Sequence, residues 1–402
     1  MRIVHVHRSD YELGGAEVYV QEISRRQAIE GHHVSLLRVG RDDGIPRSAG
    51  VLSGIACVPA AMSRLAVERP DIVHLHGVYG LLSPLVVRAI RRRWPTVLTL
   101  HDVAPICFRD SKIIRQSGTF CGRRLGTRCV TSRCHRPLRD KGLIGLYDLA
   151  VRLWQLAEYR RLDRVLVSSR YFETEMRRNG FAQARLVHLP MFSRWEPMST
   201  PLPGPPRILF VGRLSREKGA HVLISALARL MTPGWRAMLV GDGPDMTELA
   251  SLATNLSVRD RVQMRGVVSG EALPELYQNA RLVAIPSTGP EAFSLVGVEA
   301  MAFGRPVVAS AAGGITDWLV DEETGLLVPP GDPQALARAM DRLLQDPDLA
   351  DRLGRMGARH AEARFQPAQH LARLERVYRD VVTERTPRSM KQAWVTGAGK
   401  SA

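Results

Sequence analysis

No run of about 18 apolar residues occurs in this chain, so no stretch reads as a membrane-spanning helix. The opening MRIVHVH lacks the basic-then-apolar pattern of a secretory signal and leads directly into a strand; the expectation is a cytoplasmic protein. Gly-x-Gly-x-x-Gly is missing, and with it the ordinary dinucleotide fingerprint. The single Asp-x-Asp, Asp346-Pro347-Asp348, sits at a helix break rather than after a strand and reads as a turn. Acidic residues are few: 40 Asp and Glu face 56 Lys and Arg, a net charge of +16 and a sequence pI near 10.4. That field favours anionic partners such as nucleoside diphosphates, acidic lipid surfaces or nucleic acid. An arginine-rich composition from a GC-rich genome gives the same charge without any role. No recognition helix, RNA-binding signature or aromatic stacking set accompanies it, which argues against nucleic acid.

What is present is a repeated strand–helix rhythm. The 402 residues suffice for two domains with separate cores. Strands are expected at 2–7, 33–39, 71–76, 96–101 and 164–168, with helices at 16–30, 83–92, 142–162 and 170–179. A Pro-rich stretch over 191–206, MFSRWEPMSTPLPGPP, reads as a linker. A second series starts at 207–211 and continues through 236–240, 262–266 and 282–286. The expected division is an N-terminal domain over 1–190, a C-terminal domain over 207–365, and a helix over 366–384 packing back toward the first domain. The polar end, 385–402, reads as disordered. The fold class is therefore α/β: two doubly wound Rossmann-like domains facing across a cleft between their strand C-termini.

The most informative stretch is Pro286 to Met301, PSTGPEAFSLVGVEAM. A strand ends before it, a turn follows, and a helix opens near Phe293-Ser294-Leu295. Glu291 then lies in the loop facing the helix N-terminus and Glu299 about two turns further on. Backbone amides beside two carboxylates suit a sugar nucleotide, the amides taking phosphate and the carboxylates taking hydroxyls. Two isolated glutamates are more often a cap and a solvated side chain; the surrounding residues change that. Glu291, Phe293-Ser294-Leu295, Glu299, Ala300-Met301-Ala302, Gly304 and Pro306-Val307-Val308-Ala309-Ser310 resemble the donor-site signature of retaining glycosyltransferases of the two-Rossmann-domain (GT-B) type, family 4. Gly313-Gly314 and 324–332 extend the match. Ser294 stands where the family usually has Gly, and Asp317 where it usually has Glu.

The resemblance implies a metal-independent hexosyltransferase using a UDP- or GDP-linked sugar, and it assigns expected roles. Arg213 and Lys218, on the turn after the strand at 207–211, neutralise the departing diphosphate without a metal. Glu291 bonds donor hydroxyls and Glu299 holds the ribose. Gly14-Gly15, at the first helix N-terminus, close on the diphosphate from the other domain. Gly243 lines the donor cleft, and backbone near Val267 meets the base. His101 lies near the anomeric centre. His76, Asp102 and Arg109 are acceptor-side candidates. The implied work is cell-surface polysaccharide or glycolipid assembly on a glycan or lipid-linked acceptor. A basic nucleic-acid binder or a non-catalytic scaffold is the alternative.

Cys107, Cys121, Cys129 and Cys134 fall in an insertion over 107–141 where the rhythm stops. Close Cys-x-x-Cys pairs are absent, so reduced thiols, disulfides and a structural zinc all stay open. Arg109, Lys112, Arg115, Arg123, Arg124, Arg128, Arg133, Arg136 and Arg139 make the insertion basic. The expectation is contact with an anionic acceptor, peripherally at the inner face of the plasma membrane.

Overall fold

The computed structural model describes residues 1–8, 14–40, 44–48, 51–114, 119–132, 134, 142–198, 200–268 and 270–385. The 386–402 end of the expected tail, and Arg115, Arg133, Arg136 and Arg139 of the insertion, lie outside them.

Two six-stranded sheets form. The first contains β1 (Arg2–Arg8), β2 (His33–Val39), β3 (Ile72–His76), β4 (Thr96–Leu100), β5 (Arg164–Val167) and β6 (Leu186–His188), in the order β2-β1-β3-β4-β5-β6. The second contains β7 (Arg207–Val211), β8 (Arg236–Val240), β9 (Val262–Gly266), β10 (Leu282–Ile285), β11 (Val307–Ser310) and β12 (Leu326–Val328), in the order β12-β11-β10-β7-β8-β9. Every pairing in both sheets is parallel. Continuous burial of β3, β4, β10 and β11 follows from helices covering both faces, which is why these strands read as unbroken apolar runs.

Each sheet has one place where strand order reverses, between β1 and β3 in the first and between β7 and β10 in the second. Loops after those strands diverge and leave a crevice, the usual ligand position in open α/β sheets. The Gly14-Gly15 turn follows β1, the Arg213–Lys218 turn follows β7, and the Glu291 loop follows β10.

The two halves meet through specific contacts. Ser168 Oγ donates to the Ala292 carbonyl (3.1 Å), and the Arg170 amide donates to the Asp317 carboxylate. The last helix, Pro367–Arg385, places the Tyr378 hydroxyl 2.6 Å from His74 Nδ1 and pairs Arg385 with Asp163. Segment 191–206 is held by Arg305, whose fully buried guanidinium donates to the carbonyls of Thr200, Pro201 and Phe303. Burial lowers its pKa to about 10. One apolar cluster spans both halves, joining Ile3 and Ile72 to Phe293 and Val298 and to Leu374 and Tyr378.

Several elements differ from the sequence reading. A helix over Val51–Glu68 was not expected; it carries Pro59 and Gly54, which weaken a helical signal. The strands β6 and β12 have three residues each, too few to show a period. Lys112, counted among the basic residues of the insertion, is 1 % exposed: its ammonium lies 2.8 Å from Glu175 and donates to the Arg123 carbonyl. An ammonium so buried must be paired, and it is not available to an acceptor.

Candidate active site

Chain geometry brings Lys218 and Glu291 together. Residues Arg216–Lys218 form a short 3-10 turn ending at Gly219, whose φ of 74° is left-handed. A Cβ at Gly219 would stand 1.8 Å from the Pro286 carbonyl oxygen, so only glycine allows the two loops to meet. The amides of Thr288 and Gly289 donate to the Glu217 carbonyl (2.9 and 3.0 Å), and Thr288 Oγ1 donates to that of Arg216. These bonds zip the β7 loop to the β10 loop. As a result Lys218 Nζ lies 2.8 Å from both Glu291 oxygens, and Ser287 Oγ donates to Glu291 Oε1 at 2.6 Å. Two of the three ammonium donors go to Glu291, which leaves one for a ligand oxygen. Glu291 keeps an acceptor position on Oε2 for a hydroxyl. Arg213 is exposed on the same turn.

Glu299 is held separately, in the helix Leu295–Ala302. Tyr277 donates to Oε2 at 3.0 Å, and Arg194 Nε stands 3.3 Å from Oε1. Burial pushes this carboxyl's pKa up, against the pull of Arg194 and Tyr277. The two glutamates thus each have their own cation. Arg194 was not anticipated. Its signal was present, since a buried carboxylate requires a partner, but 105 residues of chain separate the two.

Helix Leu295–Ala302 starts at Ser294 with φ 73° and no side-chain cap; the Gly297 amide donates to the Ser294 carbonyl at 3.2 Å, and the amides before it are those that a helix start leaves without intrahelical partners. A left-handed serine costs about 1 kcal/mol relative to glycine. Ser294→Gly is expected to raise the melting temperature by about 2–4 °C, measured by calorimetry; a fall would contradict the strain argument. Gly15, from the other domain, faces this terminus, and a Cβ there would come 3.5 Å from Leu295 Cδ1. Phe293 is buried and stacks edge-on against Phe365, with ring centres 5.6 Å apart. Val267 is 53 % exposed beyond β9, and Gly243 lies against the Leu214 backbone.

At the facing lip, His101 follows β4 and lines a pocket with Arg8, Gly77, Tyr79 and Asp102. Burial lowers the His101 pKa to about 4. Asp102 is exposed and accepts from the Ala104 amide at 2.9 Å. His76 is not on the surface of the cleft. It is 1 % exposed, with Nε2 bonded to His5 and Nδ1 to His101, and it acts on the pocket only through His101. His5, His74 and His76 place ring nitrogens within 4.8 Å of one another. All six of their nitrogens already have hydrogen-bond partners, which marks a polar network rather than an open ligand set.

In the insertion, Arg109, Arg123, Arg124 and Arg128 are exposed. The Lys112 amide donates to Cys107 Sγ at 3.3 Å. The Cys134 thiol is raised by burial and then by the neighbouring Cys129, Cys121 and Cys107. Among the described residues no three cysteine sulfurs come within 4.8 Å of one another.

Residues 13–192 match the family model described as Glycosyltransferase Family 4, and residues 194–360 match Glycosyl transferases group 1. The D-inositol 3-phosphate glycosyltransferase of Acidothermus cellulolyticus is 31 % identical over 95 % of this chain and 90 % of its own length. The alpha-D-kanosaminyltransferase of Streptomyces kanamyceticus is 34 % identical over 44 % of this chain and 46 % of its own. Among solved structures, sucrose-phosphate synthase from Thermosynechococcus elongatus superposes with a TM-score of 0.72 at 24 % identity, covering 95 % of this chain and 99 % of that one. Anabaena HepE in complex with UDP-glucose gives 0.68 at 22 %, covering 94 % and 99 %. With a full-length relative above 30 % identity and family models meeting at the inter-sheet segment, the chain belongs to glycosyltransferase family 4, on the GT-B arrangement of two Rossmann-like domains.

Proposed function

We propose that this glycosyltransferase is a retaining, metal-independent enzyme that moves a hexose from a UDP- or GDP-linked donor. The observation that carries this reading is the Lys218–Glu291 pair at the switch point of the second sheet. Lys218 uses its third N–H on the diphosphate, with Arg213 adding charge from the same turn. The uncapped helix start at Ser294 supplies amides to phosphate. Glu291 Oε2 accepts a donor hydroxyl, and Glu299, steadied by Tyr277 and Arg194, accepts from the ribose. As the anomeric C–O bond to phosphate breaks, the acceptor oxygen bonds to the same face of that carbon. Its proton passes to the leaving phosphate, and configuration is kept. The acceptor enters from the first domain, beside His101, Asp102 and Arg109.

Thermal-shift screening with UDP, GDP and their sugars tests this. One nucleotide at a hundredfold excess over its Kd is expected to stabilise by about 2.7 kcal/mol, and Lys218→Ala should remove the shift. Equal shifts in the variant would overturn the site. Proton NMR of the first product should show the donor's anomeric configuration; inversion would contradict retention.

The acceptor is anionic in this reading. The relative from Acidothermus is named for a phosphorylated inositol, and the insertion exposes Arg109, Arg123, Arg124 and Arg128. A lipid-linked pyrophosphate sugar at the inner membrane face, used for surface polysaccharide or glycolipid, has the chemistry this patch would bind. Each arginine near an acidic surface is worth about 1 kcal/mol. Arg109→Gln/Arg123→Gln/Arg128→Gln should therefore weaken sedimentation with phosphatidylserine vesicles by about two orders of magnitude while sparing donor hydrolysis. Unchanged binding would rule the patch out. A structural zinc on the four cysteines would appear as one equivalent of metal in the purified protein; its absence there would leave them as thiols.

A further inference from the structure

The buried histidines beneath His101 form a hydrogen-bonded run with a defined start. His5 Nε2 lies 2.8 Å from Gln27 Oε1, which can only accept. His5 therefore carries its proton on Nε2, and its Nδ1 accepts from His76 Nε2 at 2.9 Å. His76 Nδ1 then accepts from His101 Nε2 at 3.3 Å.

Each step follows because a neutral imidazole has one donor and one acceptor. The rings are neutral near pH 7, since burial holds His5, His101 and His370 at about 4 and also lowers His74 and His76. Reversing the run would require a doubly protonated His5 against Gln27 Oε1.

We propose that Gln27 acts, through His5 and His76, as a positioning residue that fixes His101 as the Nε2–H tautomer, leaving Nδ1 as a hydrogen-bond acceptor in the pocket. This rests on the glycosyltransferase reading for the ligand's identity but not for the tautomer. An acceptor nitrogen there suits a sugar hydroxyl and disfavours a carboxylate. It selects a neutral hexosyl group over a uronic acid at that position. Gln27 lies on the first helix, Gly15–Ile29, so the histidine's state is set from a helix packed on the first sheet.

The experiment is long-range proton–nitrogen NMR on the full chain labelled with ¹⁵N-histidine, with His101→Gln to assign the ring. The wild type should show a single His101 tautomer protonated at Nε2. Gln27→Met and His5→Phe should give mixed tautomers, with kcat down on the order of tenfold and nucleotide affinity unchanged. A wild-type ring protonated at Nδ1, or a single unchanged tautomer in both variants, overturns the proposal. The wild-type spectrum decides even if neither variant folds. If no nucleotide sugar is turned over while the tautomer is as stated, the functional reading fails and the relay stands.

Discussion

Lys218→Ala is expected to lower the transfer rate by about 10²–10³-fold, read as kcat at saturating donor. The ammonium meets both oxygens of a carboxylate that is only 9 % exposed. Its loss removes the charge that opposes the developing diphosphate and leaves Glu291 with Ser287 as its hydroxyl donor. Breaking a buried pair from one side costs about 3–5 kcal/mol. The Lys218 side chain is 36 % exposed, so solvent screens part of this and about 1–2 kcal/mol is expected here. Stability and activity should separate in Lys218→Ala/Glu291→Gln: the melting temperature recovers because no buried charge is left unpaired, while kcat stays low. If the double variant regained activity, the pair would be a structural brace only.

Gly219→Ala should be the most damaging small substitution near the site. Its φ of 74° is left-handed and its Cβ would overlap the Pro286 carbonyl at 1.8 Å. The conformation costs about 1–2 kcal/mol and the overlap about 1–3 more. At roughly 2–4 °C per kcal/mol, the melting temperature should fall by about 5–15 °C. The zip between the two loops should open as well, separating Lys218 from Glu291, so transfer should fall even well below the new melting temperature. A melting temperature within a degree of wild type would show that the loops do not need this close approach.

Much of this was legible in the sequence. The strands at 33–39, 207–211, 236–240 and 262–266 have the predicted limits, and the other predicted strands shift by one residue, because β-branched runs bounded by Gly, Pro or Asp leave few alternatives. The helix break at Asp346-Pro347 is visible because Asp346 caps the second helix by accepting from the Leu349 amide at 2.9 Å. The Val51–Glu68 helix was obscured by Pro59. In the site, the motif around Glu291 and Glu299 stood out because its residues are close in sequence. Lys218 stood out on its own turn, but Arg194, the partner of Glu299, did not, with 105 positions of chain between them; nor did Tyr378, which follows its partner His74 by 304. The buried histidines left a partial trace. RIVHVHR and IVHLH place histidine at alternate positions, and β1 pairs His5 with His74 and His7 with His76. Alternation alone does not tell a polar network from two exposed faces; the helices on both sides of the sheet decide that.

Only one arrangement is indispensable: an ammonium and a carboxylate, brought side by side by two loops of one sheet, with the ammonium still able to reach an anion. A crystal structure of the protein with its stabilising nucleoside diphosphate tests that directly. The diphosphate should sit about 2.7–3.1 Å from Lys218 Nζ, with Lys218 still touching Glu291. A nucleotide bound elsewhere, or a diphosphate out of that lysine's reach, would contradict it.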